Sequence, residues 1–173
     1  MRETVNEIFA RLDGMGIGYE NMAHDAAATM ADCRVVEEKL GAVMPKNIFL
    51  CPRRKSCYWL LLTRPEARYK TSDISKHLGV SRLSFGPEEE LFEFLRTTPG
   101  AITPMGLMFD ENRRVQLAVD SGLKEAEKLA FHPCDNTMSL AMSGADFFGK
   151  YLPALGIEPV FVEIHDFLND EAE

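Results

Sequence analysis

The chain has 173 residues, 46% of them hydrophobic and 27% charged, and its 27 acidic and 19 basic side chains give a formal net charge of -8. That length suits one domain with a full core, and the composition excludes wholesale disorder; no apolar run approaches the roughly 20 residues of a membrane helix. The acidic balance excludes a surface that coats nucleic acid along its length, while allowing a grip on one RNA end through a few local cations.

Residues 3–12 place Val5, Ile8, Phe9 and Leu12 at helical spacing, an amphipathic helix closed by Gly14. This stretch carries acids and no apolar signal core, so no export signal is read there and the expected location is cytoplasmic. Residues 17–22 read as a short strand ending near His24, and Thr29 caps a second helix that runs through Val36 and Leu40 to Gly41. Residues 47–51 and 58–62 bracket a turn and read as a hairpin. Tyr58, Trp59, Leu60, Leu61 and Leu62 are apolar on both alternations and belong at a sheet centre. Cys33, Cys51, Cys57 and Cys134 show no CxxC spacing. Cys51 and Cys57 flank the basic turn Pro52-Arg53-Arg54-Lys55 and could face each other across the hairpin, but free thiols are the expected state.

Ser72 or Asp73 starts a small helix ending at Leu78-Gly79, and residues 82–85 form a short strand. Pro87 opens another helix, with Glu88, Glu89 and Glu90 in its first turn, where the helix dipole favours carboxylates without any metal. Residues 105–109 and 115–119 read as strands, and residues 129–131 and 137–140 as a second hairpin around His132. Ser143 caps a helix over residues 145–155, residues 160–164 form a closing strand, and residues 165–173 read as an acidic, frayed tail. With no repeat and no linker, the expectation is one domain over residues 1–173 with its core at 19–164. Its class is mixed α/β (α+β), short helices around one curved sheet. No GxGxxG or GxxxxGK[ST] follows a strand, so a doubly wound nucleotide fold is disfavoured.

The stretch TTPGAITPMGLMF, residues 97–109, is the most unusual. It is apolar, carries Pro99-Gly100 as a turn dipeptide, and is stiffened by Pro104. Such a loop suits either a tight connection to a buried strand or a pocket wall built from main-chain amides. Lys46, at a strand entrance, is either a solvated edge charge or an anchor for phosphate or carboxylate, with Asn47 beside it. His132, in a rigid turn, is either a locally bonded turn residue or a group that positions a hydroxyl or water, with Asn136 and Thr137 at the same corner. There is no Gx[SC]xG elbow and no HExxH, and His24, His77 and His165 look scattered. An enzyme built this way works by positioning and backbone electrostatics.

Several short segments resemble one family. Lys46-Asn47-Ile48-Phe49-Leu50 is similar to the KNLFL segment of the trans-acting prolyl-tRNA editing proteins. These belong to the superfamily of the YbaK proteins and the insertion domain of bacterial prolyl-tRNA synthetases. Leu83-Ser84-Phe85 resembles their LSF strand, and Gly100-Ala101-Ile102-Thr103-Pro104 their GxxxP loop, followed by Met105-Gly106-Leu107 where PFGL is common. Phe131-His132-Pro133 with Asn136-Thr137 resembles FHPxxNT.

The resemblance runs from about residue 19 to residue 164 in consistent order, and is strongest to the Ala-tRNA(Pro) deacylase branch. It implies a barrel-like mixed sheet and hydrolysis of the ester that joins a wrong amino acid to the 3′-terminal adenosine of tRNA(Pro). No metal or cofactor is implied. The substrate's ribose 2′-hydroxyl would organise the attacking water. Lys46, Gly100, Ala101 and His132 become the candidate catalytic residues, with Asn47, Ile102, Thr103, Pro104, Met105, Asn136 and Thr137 as substrate-binding candidates. The implied partner is the acceptor end of the tRNA; neither DNA nor membrane is expected. The acidic net charge suggests weak intrinsic RNA affinity, so delivery by prolyl-tRNA synthetase or an elongation factor is a hypothesis that goes with it. Met105 stands where phenylalanine is common, which leaves Cys-tRNA(Pro) or another small aminoacyl-tRNA as an alternative substrate. The alternative from another class is a non-catalytic module that binds tRNA or a synthetase.

Overall fold

The structure is a computed structural model that describes residues 2–27 and 29–165; most of the expected acidic tail lies outside the described residues. Its strands form two sheets. The larger has the order β4 (Leu83–Phe85), β2 (Lys46–Pro52), β3 (Tyr58–Thr63), β5 (Val115–Asp120), β8 (Val160–Val162). The smaller has the order β1 (Glu20–Ala23), β7 (Met138–Ser143), β6 (Lys128–Phe131).

Both expected hairpins are present: β2 pairs antiparallel with β3, and β6 with β7. Strand β3 lies at the centre of the larger sheet, every residue buried, as its unbroken apolar run requires. Its other neighbour, β5, runs parallel, as does β8 beside β5. The mixed α/β class therefore stands. The single barrel-like sheet does not: among the described residues β4 and β8 end the larger sheet, which is not closed, and β1, β7 and β6 form a sheet of their own. One parallel bridge, Val43 to Leu129, links the smaller sheet to the connection that leads into β2.

The main core lies between one face of the larger sheet and the smaller sheet. Phe49, Leu60, Leu62, Leu117 and Val119 meet Leu129, Phe131, Leu140 and Met142 there. Helix α1 (Arg2–Gly14) adds Ile8 and Leu12, and α4 (Glu88–Leu95) adds Leu91, Phe94 and Leu95. The opposite sheet face, with Leu50, Trp59 and Leu61, is covered by Ile74 of α3 (Thr71–Leu78). Helix α2 (Met30–Leu40) packs Val36 and Leu40 on Ala130 and Ala141 of the smaller sheet. Its start follows the sequence: Thr29 and Asp32 form a reciprocal capping box, and Gly41 ends it in the left-handed conformation. Ser143 caps the last helix as read, through Asp146 N–H. That helix begins as α5 (Gly144–Asp146), opens into a π turn at Phe147–Tyr151 and closes as α6 (Leu152–Ala154).

Residues 105–109 are not a strand. They belong to a 3-10 turn, Pro104–Phe109, whose six residues are all buried. Three features override the β-like composition. Pro104 supplies a fixed φ at the first position, the Thr103 hydroxyl accepts from Met105 N–H at 3.1 Å, and Gly106 lets the backbone lie against the end of α4. On its other side the turn is held by Tyr151, whose buried hydroxyl donates to the Pro104 carbonyl at 2.7 Å. The cysteines are free thiols. Cys51 lies one step beyond the Leu50–Trp59 pair, so the hairpin register sets it toward Tyr58 rather than Cys57.

Candidate functional site

Strand β2, the proline-glycine loop, the turn after β6 and the start of α2 converge on one cavity of about 300 Å³. Strand β2 contributes Lys46 and Asn47, the loop Pro99, Gly100 and Ile102, and the β6–β7 turn His132. Five of the eleven candidates thus line one space, although Lys46 and His132 lie 86 positions apart along the chain.

Lys46 opens β2, and its Nζ donates to the Ala67 carbonyl at 3.0 Å, which fixes the ammonium at the rim with further donors to spare. Among the described residues it is the one side chain in the lining that carries a formal charge, so the field in the cavity favours an anion. Asn47 donates from Nδ2 to the Pro45 carbonyl at 3.0 Å, and its Oδ1 is buried without a partner. The amide is therefore a fixed part of the wall, with its acceptor turned inward. Gly100 lies against Asn136, whose Nδ2 would be 3.3 Å from a Cβ at position 100. Close approach to Gly100 is what Asn136 does here; it buttresses the loop from behind.

His132 is 6% exposed, and its Nδ1 is 2.9 Å from the Met138 carbonyl. A carbonyl only accepts, so Nδ1 carries a proton and Nε2 is the nitrogen left for the cavity. Burial lowers the histidine's pKa from the usual 6.5, against the opposing pull of the Met138 carbonyl. The ring is neutral at pH 7, a lone-pair acceptor rather than a cation.

This has a stability consequence. Just below pH 6.5 the unfolded chain binds a proton at this histidine that the folded chain resists, so stability rises with pH through this window. Urea unfolding is expected to show stability falling from pH 7.5 to pH 5.5 in the wild type, with a shallower fall in His132→Gln. Parallel curves for the two proteins would rule out His132 as the source.

The remaining candidates lie outside the cavity. Ala101 is buried, and its amide donates to the Thr98 carbonyl at 2.9 Å. Among the described residues the Gly100 amide has no acceptor outside its own 3-10 turn, and Gly100 lines the cavity. Thr103, Pro104 and Met105 form the core-packed rear of the wall. Thr137 is turned away, with its hydroxyl on Asp135 Oδ1 at 2.7 Å. In their place α2 and its lead-in supply Ala27, Thr29, Met30 and Cys33, which sequence reasoning did not select. The capping box at Thr29 marked that helix start, but nothing in it marked the face turned to β2. Burial raises the Cys33 pKa, so it is a protonated thiol there. Among the described residues, no group of three or more His, Cys, Asp or Glu is placed to hold a metal ion.

The model of the aminoacyl-tRNA editing domain matches residues 23–149, a span that contains every element lining the cavity. The chain belongs to the aminoacyl-tRNA editing domain family. Among curated relatives of this editing domain, the prolyl-tRNA editing protein ProX of Acetoanaerobium sticklandii is 27% identical over 80% of this chain and 85% of its own length. The prolyl-tRNA synthetase associated domain-containing protein 1 of Mus musculus is 29% identical over 90% and 94%. A crystal structure described as a candidate trans-editing enzyme for prolyl-tRNA synthetase superposes with a TM-score of 0.70 at 14% identity, covering 94% of this chain and 97% of its own. At that identity the likeness shows the fold of the editing domain. No described helix is long and apolar enough to cross a membrane.

Proposed function

We propose that this editing domain is a free-standing deacylase that hydrolyses the ester of mischarged Ala-tRNA(Pro). The reading is carried by the cavity itself: a space with no carboxylate among its described lining residues, with one cation, the backbone of Gly100 and a neutral imidazole. The relatives' prolyl-tRNA editing names point to the same class of substrate.

In this reading Lys46 engages a phosphate of the terminal nucleotide by a charge-assisted hydrogen bond. The Gly100 N–H donates to the ester carbonyl and to the oxyanion that forms on it. His132 Nε2 accepts from a hydroxyl or water near the adenosine. The ribose 2′-hydroxyl orients the attacking water, which adds to the carbonyl; the C–O bond to the ribose then breaks and releases alanine. An aminoacyl ester is already activated, so modest oxyanion stabilisation and positioning suffice, and neither a triad nor a metal is needed. The stiff Pro99–Ile102 wall admits a methyl side chain and rejects the prolyl ring by size. Exclusion of a larger group discriminates better than the roughly 1–3 kcal/mol per methylene that pocket affinity supplies. Delivery of the charged tRNA by its synthetase or by an elongation factor fits an acidic protein with one cation at its site.

The test is deacylation of Ala-, Cys-, Ser- and Pro-tRNA(Pro) by the purified protein. The alanyl ester is expected to be cleared well above the buffer rate and the prolyl ester spared. Preferred loss of the cysteinyl ester would reassign the substrate, and no turnover on any of them would leave a binding module.

A further inference from the structure

His132 is not the end of a hydrogen-bonded run. Pairing of β1 with β7 sets Met22 opposite Ser139, and the His24 amide donates to the Thr137 carbonyl at 2.9 Å. These bonds bring His24 next to the β6–β7 turn, with its ring centroid 6.0 Å from that of His132. Ser139, fully buried, lies between them: its Oγ is 2.8 Å from His24 Nε2 and 3.4 Å from His132 Nδ1. The far nitrogen, His24 Nδ1, is 2.7 Å from the Asp25 carbonyl.

The proton positions follow from the two carbonyls. Asp25 O only accepts, so His24 Nδ1 is protonated and a neutral His24 presents a lone pair at Nε2. Ser139 donates its hydroxyl proton there, and its oxygen can then only accept from the Nδ1–H of His132. The Nδ1–H of His132 is shared between the Met138 carbonyl at 2.9 Å and Ser139 Oγ at 3.4 Å, and the direction of donation is the same throughout the run. Were the His24 acceptor lost, the buried hydroxyl would still need one, and the other nitrogen in reach is His132 Nδ1. Donating there requires His132 to move its proton from Nδ1 to Nε2, which turns the cavity-facing nitrogen from an acceptor into a donor.

We propose that Ser139 and His24 are positioning residues that act with the Met138 carbonyl to lock His132 in its Nδ1–H tautomer, so that Nε2 faces the aminoacyl cavity as an acceptor. The value of that lock rests on the deacylase reading above; the lock itself does not. His24 borders a neighbouring cavity of about 630 Å³, with Asp25, Asp32 and Lys39, and is not among the residues lining the aminoacyl one. Its effect on chemistry therefore passes through Ser139 and His132.

The experiment is nitrogen-15 NMR of the histidine side chains, paired with single-turnover deacylation, on wild type, His24→Phe, Ser139→Ala and the double variant. Wild type is expected to show His132 protonated at Nδ1 alone. His24→Phe frees the Ser139 hydroxyl and moves His132 toward an Nδ1–H and Nε2–H mixture, with about a tenfold fall in the cleavage rate and little change in tRNA affinity. The double variant, which has no hydroxyl to misdirect, returns His132 to the Nδ1–H form held by Met138 and recovers most of the rate. His24→Leu repeats the comparison should phenylalanine not be accommodated. An unchanged tautomer in both His24 variants, or a double variant damaged as the sum of the singles, overturns the proposal. Loss of all turnover in wild type with the tautomer pattern intact would remove the deacylase reading and leave the lock standing.

Discussion

Lys46→Ala is expected to lower kcat/KM for Ala-tRNA(Pro) by about 10²-fold while leaving the protein folded. The ammonium is the one formal charge in the lining among the described residues, so no neighbour there can take over contact with a phosphate. Part of its placement comes from the bond to the Ala67 carbonyl at 3.0 Å, which ties the side chain to the connection between β3 and α3. Alanine gives up both the charge and that anchor, yet leaves no buried charge behind. Arginine should restore little of the rate, because a planar guanidinium cannot occupy an ammonium's place against the same carbonyl. Thermal unfolding should change by only a few degrees, since a partly exposed lysine at a strand entrance carries little core packing. A rate within threefold of wild type would show that the terminal nucleotide is held elsewhere.

Local rules were enough to read most of the elements. The capping box at Thr29, the apolar run read over residues 58–62 and the serine cap at Ser143 each declare themselves within a few residues, and each lies in the element read for it. What could not be read is what depends on pairing across the chain. His24 looked isolated because its partners, Ser139 and His132, are more than a hundred positions away and meet it only through the register of β1 on β7. The wall from α2 was invisible for the same reason: no periodicity says which helix face meets which strand. The turn after Pro104 failed differently. Met105, Leu107, Met108 and Phe109 have the composition of a buried strand, and only the contact of Gly106 with α4 shows why the backbone coils instead. Ala101 shows the limit of reading an amide from a loop motif, since the neighbouring turn had already used it.

The contact of Gly106 with α4 gives Gly106→Ala a large expected structural effect. An added Cβ would lie 2.5 Å from the Leu95 carbonyl oxygen and 2.8 Å from Leu95 Cβ. Neither atom can yield easily: Leu95 is fully buried at the end of α4, and its carbonyl also accepts from the Cys134 thiol, 3.6 Å away. The turn must move instead, and it is pinned on the opposite side by the Tyr151 hydroxyl on the Pro104 carbonyl. Overpacking against backbone of this kind is expected to cost about 2–4 kcal/mol in urea unfolding. The functional consequence follows from chain continuity. Pro104 is two residues from Gly106, and Ile102, in the cavity wall, is two residues further back. A turn displaced from α4 carries that wall with it, and the size filter loosens before the chemistry fails. In protein that remains folded at low temperature, the ratio of alanyl to prolyl ester cleavage should fall, chiefly because the prolyl ester is now admitted. A variant as stable as wild type would mean that α4 yields to the turn. A destabilised variant with unchanged discrimination would mean that the filter lies in the α2 side of the cavity, at Met30 and Cys33, rather than in the loop.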